Sequence, residues 1–151
     1  MTKDYNLFWK KCWRDEKSEE LDYYLDAFRN LKCKEMNVFK EHNVVKVCDA
    51  ACGFGAYSLA FSTNGFQVYS FDISDTAVRM TKNALKKYGI ESNNVKVASI
   101  LDTEYEDAFF DGVIARTVID HLTTEDSVKT IKELMRIVRQ DGLVLITFDI
   151  A

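Results

Sequence analysis

Long apolar runs are missing from this sequence. No segment approaches the ~18 consecutive apolar residues of a membrane-spanning helix, and the N-terminus lacks the apolar region of a secretion signal. The sequence therefore gives no reason to expect a membrane partner, and we expect a soluble cytoplasmic protein.

An excess of basic residues is also missing. Lysine and arginine total 20 against 24 aspartates and glutamates, which gives a formal net charge of −4. A nucleic-acid-binding surface normally needs a basic face, so we expect no nucleic-acid partner. Lys82, Lys86 and Lys87 form a loose cluster on a predicted helix, where a solvated helix face is the better interpretation.

Cysteine pairs at metal-binding spacing are absent as well. The four cysteines, Cys12, Cys33, Cys48 and Cys52, form no C-x-x-C pair. Reduced structural thiols are the better interpretation, and we expect no metal site. The sequence also contains no proline, against about 5% in a typical protein, and nothing else in the sequence accounts for that.

The strongest pattern that is present runs through residues 44–72. Residues 44–48 are short, β-branched and mostly apolar, which is typical of a strand buried on both faces. Small residues and two glycines in 49–55 permit a sharp turn, residues 56–64 have helical apolar spacing, and 67–71 read as a second strand. The pattern predicts a strand, a glycine turn, a helix and a strand.

An acidic residue follows each of these two strands. In a right-handed βαβ crossover, Asp49 and Asp72 reach the same edge of the sheet, where open α/β folds bind ligands. Asp72 lies 19 residues after Gly53, and an acid about 20 residues beyond a glycine turn usually binds ribose hydroxyls. The ligand should therefore contain a ribose.

The identity of that ligand depends on the turn. A dinucleotide fingerprint would need a third glycine where the chain has Ser58, and Asp49 would repel a diphosphate. A phosphate-free adenosine compound that carries an ammonium and a sulfonium suits Asp49 better. S-adenosylmethionine is such a compound.

The stretch resembles motif I of the class I S-adenosylmethionine-dependent methyltransferases, an acid followed by G-x-G-x-G. The first glycine of that pattern is Ala51 here, and the other two are Gly53 and Gly55. Later segments, including Arg116 to Leu122 and the strand predicted over 142–148, resemble the family in the same order. The similarity covers about residues 44–150.

The resemblance implies a three-layer Rossmann-like α/β fold with a doubly wound parallel sheet of strand order 3-2-1-4-5. The family sheet normally has two more strands after the fifth, and this sequence ends before either. The fifth strand would then be an exposed apolar edge, so we expect a homodimer formed through it.

The resemblance also assigns cofactor residues. Besides the acids and the turn, the cofactor-binding set comprises Ile73 and Ile100 beside adenine, and Ser99 where family members often carry an aspartate. Asp102 would replace that carboxylate if the register is shifted, although a surface-loop role is the better interpretation. Arg116 would either hold an acceptor carboxylate or present its backbone to the cofactor.

Catalytic candidates stand at the same edge. Histidine is the side chain that enzymes use most often as a general base, which makes His121 a candidate, and Asp120 is its neighbour. The alternative is that His121 only begins the next helix. A base is needed only if the acceptor is protonated, because the cofactor already carries a good leaving group.

Residues 1–43 precede the domain of residues 44–151 and are predicted to form a helical lid or cap segment within one overall domain. A helix capped by Ser18 would bury one stripe, formed by Leu21, Tyr24, Leu25, Phe28 and Leu31. The more N-terminal Tyr5, Trp9 and Trp13 either shape an acceptor pocket or simply pack.

The sequence thus predicts an S-adenosylmethionine-dependent methyltransferase that acts on a small molecule. Two alternatives remain open: a truncated or non-catalytic protein that binds S-adenosylmethionine, and a nicotinamide-dependent oxidoreductase. Asp72 fits the oxidoreductase, whereas Asp49 and Ser58 disfavour it.

Overall fold

A computed structural model describes residues 4–14 and 18–149. Five parallel strands form one sheet in the order β3-β2-β1-β4-β5. This is the order that the resemblance implied, and the α/β fold is confirmed. The strands are β1 (Lys46–Ala50), β2 (Gln67–Asp72), β3 (Val95–Val97), β4 (Phe110–Arg116) and β5 (Val138–Thr147).

In the described part of the chain, six α-helices flank this sheet: α1 (Tyr5–Arg14), α2 (Ser18–Arg29), α3 (Lys34–Glu41), α4 (Ala56–Thr63), α5 (Asp75–Lys87) and α6 (Thr124–Ile137). Two begin at the side-chain caps that the sequence provides. Ser74 Oγ accepts a hydrogen bond from Ala77 N at 3.2 Å, and Thr123 Oγ1 accepts one from Asp126 N at 3.2 Å. Capping by the Ser18 side chain lies outside the described residues.

The core lies on both faces of the sheet because successive residues of β1 point in opposite directions. Val47 packs with Met36, Phe39 and other apolar groups on one side, whereas Cys48 packs on the other side with a cluster that includes Phe71. Both positions are fully buried. This double burial explains the continuous apolar run in the sequence.

The predicted stripe of α2 is partly wrong, and so is the stripe that helical apolar spacing predicts for α6, namely Val128, Ile131, Leu134, Met135 and Val138. Tyr24 of α2 is 51% exposed, and on α6 Val128 is 49% and Met135 62% exposed. The buried positions of α6 are Thr130, Leu134 and Ile137, which lie on a narrower line than the stripe that apolarity alone suggested. Apolar spacing marks which residues could face the sheet, but only the docking angle decides which do.

Two boundaries also differ from the sequence prediction. Residues 34–41 form α3, which the sequence did not reveal, and β5 begins at Val138 instead of Gly142. Between Val138 and Leu143 the pairing with β4 shifts register, and Asp141 has a φ of 65°. At Gly142 an added Cβ would lie 2.6 Å from the backbone oxygen of Asp111, so this bulge requires glycine.

None of the helices in the described part of the chain combines the length and apolar character needed to cross a membrane.

Candidate active site

The glycine turn connects β1 to α4 at the carboxyl edge of the sheet. Ala51, Gly53 and Gly55 all have positive φ angles, of 56°, 58° and 93°. Alanine tolerates this region at a cost of roughly 1–2 kcal/mol, so the turn forms although the first family glycine is replaced. At Gly55 an added Cβ would lie 2.9 Å from Thr81 Cα, because α5 packs directly against the turn.

Asp72 is fixed by backbone amides at the tip of β2. Its Oδ2 accepts a hydrogen bond from Gly53 N at 2.9 Å, and its Oδ1 accepts one from Ser74 N at 3.0 Å. The carboxylate is buried, and this burial raises its pKa although the amides oppose the shift. Asp72 therefore links the glycine turn to the start of α5 and faces the cavity with a fixed geometry.

Asp49 is a buried acid at the tip of β1. Ser58 Oγ donates a hydrogen bond to its Oδ2 at 2.6 Å, and Ser58 in turn contacts Ser70 Oγ at 2.7 Å. Burial raises the pKa of Asp49 to about 7. No lysine or arginine whose side chain the structure describes lies within 4.0 Å of it, so its ionised form has no ion-pair partner among those side chains.

A cavity of about 460 Å³ opens above these two acids, within the ~300–1,000 Å³ of typical small-molecule sites. Most of the residues predicted from the sequence line it: Tyr5, Trp9, Trp13, Asp49, Ala51, Gly53, Asp72, Ile73, Ser99, Ile100, Arg116 and His121. Three others are not on its wall, namely Gly55, Asp102 and Asp120. Gly55 instead lies against Thr81. Ser99 lines the cavity, whereas Asp102 does not.

Arg116 is the last residue of β4, and its side chain makes contacts of its own at this edge of the sheet. Its Nη1 donates to Glu35 Oε1 at 2.7 Å, and its Cζ lies 4.1 Å from the centroid of the Tyr57 ring. Sequence reasoning missed Glu35 and Tyr57, because nothing local connects α3 or α4 to the end of β4. A capping or charge pattern would not have revealed them.

His121 lies in a 3₁₀ turn over Ile119–His121 after β4. Its Nε2 is 3.9 Å from Asp120 Oδ2, and the Trp9 ring meets the imidazole edge to face with centroids 5.0 Å apart. The histidine thus lines the cavity next to α1.

Helix α1 crosses over the cavity and touches both of its ends. The Tyr5 hydroxyl donates to Asp126 Oδ2 at 2.8 Å and accepts from Thr123 N at 3.1 Å. At the other end, Trp13 packs against the glycine turn, since a Cβ on Gly53 would lie 3.0 Å from Trp13 Cζ2. The Trp13 indole N–H is buried without a hydrogen-bond partner among the described residues.

A family model described as a methyltransferase domain matches residues 48–146. The matched range begins within β1 and ends within β5, and it contains Asp49, the glycine turn, Asp72 and Arg116. It excludes α1, α2 and α3.

Curated relatives share part of the chain. It is 33% identical over 102 residues to the tRNA (carboxymethyluridine(34)-5-O)-methyltransferase of Arabidopsis thaliana, covering 67% of this chain and 23% of that protein. It is 30% identical over 105 residues to the "Probable cobalt-precorrin-6B C(15)-methyltransferase (decarboxylating)" of Methanococcus maripaludis, covering 58% of each. The chain spans between 23% and 58% of the length of the curated relatives that it matches.

Solved structures share the fold. The PH0226 protein of Pyrococcus horikoshii is 28% identical, with a TM-score of 0.68, and the match covers 76% of this chain and 51% of that one. A Methanococcus maripaludis protein described as a "putative s-adenosyl-l-methionine-dependent methyltransferase" superposes with a TM-score of 0.74 at 15% identity. That match covers 91% of this chain and 62% of that one.

The site has the hydrogen-bond acceptors and apolar walls that S-adenosylmethionine needs. Asp49 is a buried acid without a described cation beside it, which suits the ammonium of the cofactor. Asp72 is a fixed carboxylate that suits ribose hydroxyls, and Ile73 and Ile100 supply apolar walls. The family match establishes that the chain belongs to the methyltransferase-domain family, the class I S-adenosylmethionine-dependent methyltransferases of Rossmann-like fold.

Proposed function

We propose that this protein is an S-adenosylmethionine-dependent methyltransferase that modifies a small molecule held in the cavity beneath α1. The observation that carries the proposal is the partial cover that α1 gives the cavity: Tyr5, Trp9 and Trp13 line it, Trp13 packs against the glycine turn, and Tyr5 is tied to the start of α6. An acceptor that fits below α1 is limited in size. The net charge of −4 also disfavours an RNA acceptor, although one relative is named for a tRNA modification.

In this proposal the cofactor lies along the carboxyl edge of the sheet. Asp72 binds the ribose, Asp49 binds the ammonium, and Ile73, Ser99 and Ile100 surround adenine. The small residues of the glycine turn, Ala51, Gly53 and Gly55, allow the backbone to come close to the cofactor. When bound, S-adenosylmethionine supplies a methyl group on a good leaving group.

The acceptor would lie beneath α1, beside the cofactor. The protein contributes mainly alignment of the acceptor and exclusion of water, which can be worth roughly 7–11 kcal/mol. Tyr5, Trp9 and Trp13 form the acceptor wall in this arrangement, and residues 1–43 act as a lid segment on the domain of residues 44–151. His121, held against Trp9 and beside Asp120, takes the proton from an acceptor hydroxyl or amine.

The four cysteines are free, which fits a reducing compartment, and we place the protein in the cytoplasm. We further propose that it forms a homodimer through β5, which pairs only with β4 among the described strands.

Calorimetry with S-adenosylhomocysteine tests the cofactor placement. Asp72→Asn should weaken binding at least tenfold, because hydrogen bonds to a charged group are worth ~1.5–3 kcal/mol. Asp75→Asn is the matched control, since Asp75 is exposed in the first turn of α5, and it should bind as the wild type does. Equal affinity in Asp72→Asn would refute the placement.

Turnover tests the acceptor class. Methyl transfer from S-adenosylmethionine would be screened against small alcohols, phenols, amines and carboxylic acids, with transfer RNA as the opposing substrate. We expect turnover of a small molecule that is reduced in His121→Gln for hydroxyl or amine acceptors. Methylation of RNA alone would contradict the small-molecule proposal, and cofactor binding without any turnover would favour a non-catalytic binding protein.

A further inference from the structure

The wall of the cavity is divided by chemistry. Just beyond β2 and β3, its apolar residues are aliphatic, namely Ile73, Ile100 and Leu101. The part of the wall that the helices supply is aromatic instead. Its six rings come from α1, from α2 and from the passage of the glycine turn into α4: Tyr5, Trp9, Trp13, Phe28, Phe54 and Tyr57. Phe71 of β2 also borders the cavity, but its side chain is fully buried in the core.

The two parts of this wall serve different ligands in the proposed arrangement. The cofactor lies along the strand tips, where Asp72 and Asp49 hold its ribose and its ammonium and where the aliphatic residues surround adenine. The aromatic part comes mainly from the helices that cover the cavity, and the acceptor would lie beneath α1. The aromatic composition therefore describes the acceptor more than the cofactor, and this step rests on the proposed function.

The rings of the aromatic part meet their neighbours at steep angles. The Phe28 and Tyr57 centroids are 5.4 Å apart with the ring planes at 69°, and the Trp13 and Phe54 centroids are 6.1 Å apart with the planes at 56°. A parallel stack would use a face of both rings, whereas a steep contact uses the edge of one. Each of these pairs therefore leaves more ring face for a further partner, and another aromatic ring is the partner that such faces favour.

The charges of the wall favour a neutral acceptor. Its acids among the described residues are Asp49 and Asp72, and the cofactor engages both in the proposed placement, so an ammonium on the acceptor would find no further carboxylate there. Arg116 is the single lysine or arginine of the described wall, and its Nη1 already donates to Glu35 Oε1 at 2.7 Å. A charge that leaves water without a partner is costly, and a neutral molecule avoids that cost.

His121 adjoins the aromatic part of the wall. It lines the cavity, and its imidazole meets the Trp9 ring with centroids 5.0 Å apart and the planes at 80°. A guest ring that packs beside Trp9 therefore brings its substituents close to the imidazole, and histidine is a common general base. A phenolic hydroxyl, with a pKa near 10, gives its proton to such a base far more readily than an aliphatic alcohol does.

We propose that the methyl acceptor is a neutral aromatic compound with a phenolic hydroxyl, whose ring packs beside Trp9 and whose oxygen lies at His121. In the reaction a bond forms between the phenolic oxygen and the methyl carbon while the bond from that carbon to the cofactor sulfur breaks. The electron pair of the broken bond stays on the sulfur, which loses its positive charge, and the phenolic proton passes to the imidazole and then to water. The products are an aryl methyl ether and S-adenosylhomocysteine.

Binding in the presence of saturating S-adenosylhomocysteine tests the ring and the charge without turnover. The ligands are the para-ethyl derivatives of phenol, cyclohexanol, benzylamine and benzoate, which are similar in size. The chain has two tryptophans, and both Trp9 and Trp13 line the cavity, so tryptophan fluorescence reports its occupancy. The phenol should bind roughly 3- to 10-fold more tightly than the cyclohexanol, and more tightly than either charged compound.

Substitutions separate the ring from the base. Trp9→Leu keeps an apolar side chain and should reduce the preference for the phenol over the cyclohexanol to about 2-fold or less, whereas Trp9→Phe, which keeps a ring, should retain that preference. Tyr23→Leu is the matched control, since Tyr23 is exposed on α2, and it should affect neither ligand. His121→Gln should bind the phenol within about 3-fold of the wild type and lose methyl transfer to it on the order of 100-fold.

Three results would overturn the inference. One is a phenol that binds no better than the cyclohexanol or does not bind at all. Another is a preference for the benzylamine or the benzoate, and the third is a preference for the phenol that Trp9→Leu leaves unchanged. Methyl transfer to an aliphatic alcohol or an amine would overturn this inference alone. Methylation of RNA alone, or an affinity for S-adenosylhomocysteine that does not depend on Asp72, would instead refute the proposed function itself.

Discussion

Two glycines with the same backbone conformation give different predictions at the scale of the residue. Gly55 has a φ of +93° and Gly65 a φ of +91°. A Cβ on Gly55 would lie 2.9 Å from Thr81 Cα, whereas a Cβ on Gly65 would meet nothing within 4 Å. Both alanine variants should lose roughly 1–2 kcal/mol to the left-handed backbone, and Gly55→Ala should lose about 1–3 kcal/mol more through the contact with α5.

Urea unfolding of Gly55→Ala and Gly65→Ala measures this difference directly. Because the two φ angles nearly agree, the cost of a left-handed backbone is about the same in both variants. The difference between their free energies of unfolding therefore reports the contact with α5. If both variants lost the same stability, α5 would not be seated against the turn as described.

Asp49 should make the free energy of unfolding decrease as the pH rises, the opposite of what a carboxylate with a lowered pKa does. Burial raises its pKa from about 4 to about 7, so the folded state binds the proton more tightly than the unfolded chain. The contribution of Asp49 to the free energy of unfolding is fully present below about pH 4 and decreases as the pH rises to about 7. At ~1.4 kcal/mol for each tenfold change in proton affinity, the loss is on the order of 2–4 kcal/mol.

Asp49→Asn should therefore be more stable than the wild type, and the difference should grow between about pH 4 and about pH 7. Asp111→Asn is the opposing control: although burial acts to raise the pKa of Asp111, hydrogen bonds from Lys46 N and Val45 N and the nearby Arg139 lower it. Removing that carboxylate should destabilise the protein most at neutral pH. Unfolding curves at several pH values measure both effects, and a flat profile for Asp49→Asn would contradict the assigned burial.

The same proton governs ligand binding. Since the neutral acid cannot pair with an ammonium, the affinity of the wild type for S-adenosylhomocysteine should fall as the pH drops through about 7. Asp49→Asn should bind weakly at every pH, so the stabilising substitution is also the inactivating one.

Helix α1 gives a prediction at the scale of the element. Its N-terminal end is tied to the start of α6 by the Tyr5 hydroxyl, which bonds both Asp126 and Thr123. Tyr5→Phe removes those hydrogen bonds and keeps the ring. If α1 is a lid, backbone amides of α1 should exchange hydrogen faster, and bound S-adenosylhomocysteine should dissociate faster, by roughly 3- to 10-fold for ~1 kcal/mol.

Tyr23→Phe is the matched control for this experiment, because Tyr23 is 74% exposed on α2. Stopped-flow dissociation and hydrogen exchange should be unchanged in it. Faster exchange of α1 in Tyr5→Phe without any change in ligand dissociation would indicate that α1 packs on the domain but does not enclose the ligand.

The elements differ in how far the sequence could predict them. The unit from β1 through α4 to β2 was predictable because its signals are local: an apolar run, small residues at the turn, and an acid at a fixed distance. The edge that joins Asp49 to Asp72 followed from the handedness of the crossover alone.

Other features depend on contacts between distant segments, which a single sequence does not reveal. Glu35 reaches Arg116 across 81 positions, and α3 has only eight residues, too few for a clear apolar period. The exposed side chains of α6 have helical spacing but lie beside the line along which the helix meets the sheet.

At the scale of the whole molecule, β5 is an edge of the described sheet. The backbone groups along one side of β5 pair with β4. Phe148, just beyond the strand, is 59% exposed. Exposed apolar side chains also lie on α6, at Val128, Ile131 and Met135. An unpaired edge strand with apolar surroundings is a template for pairing with another strand, and a second copy offers an identical one.

Light scattering over a range of protein concentrations should therefore show a species of twice the 17.4 kDa chain mass. The two surfaces can be separated because strand pairing uses backbone groups: Met135→Lys should leave the dimer intact if β5 forms the contact and dissolve it if α6 does. Hydrogen exchange of the β5 amides should slow as the protein concentration, and with it the dimeric fraction, increases. A constant mass of one chain at all concentrations would rule out the homodimer.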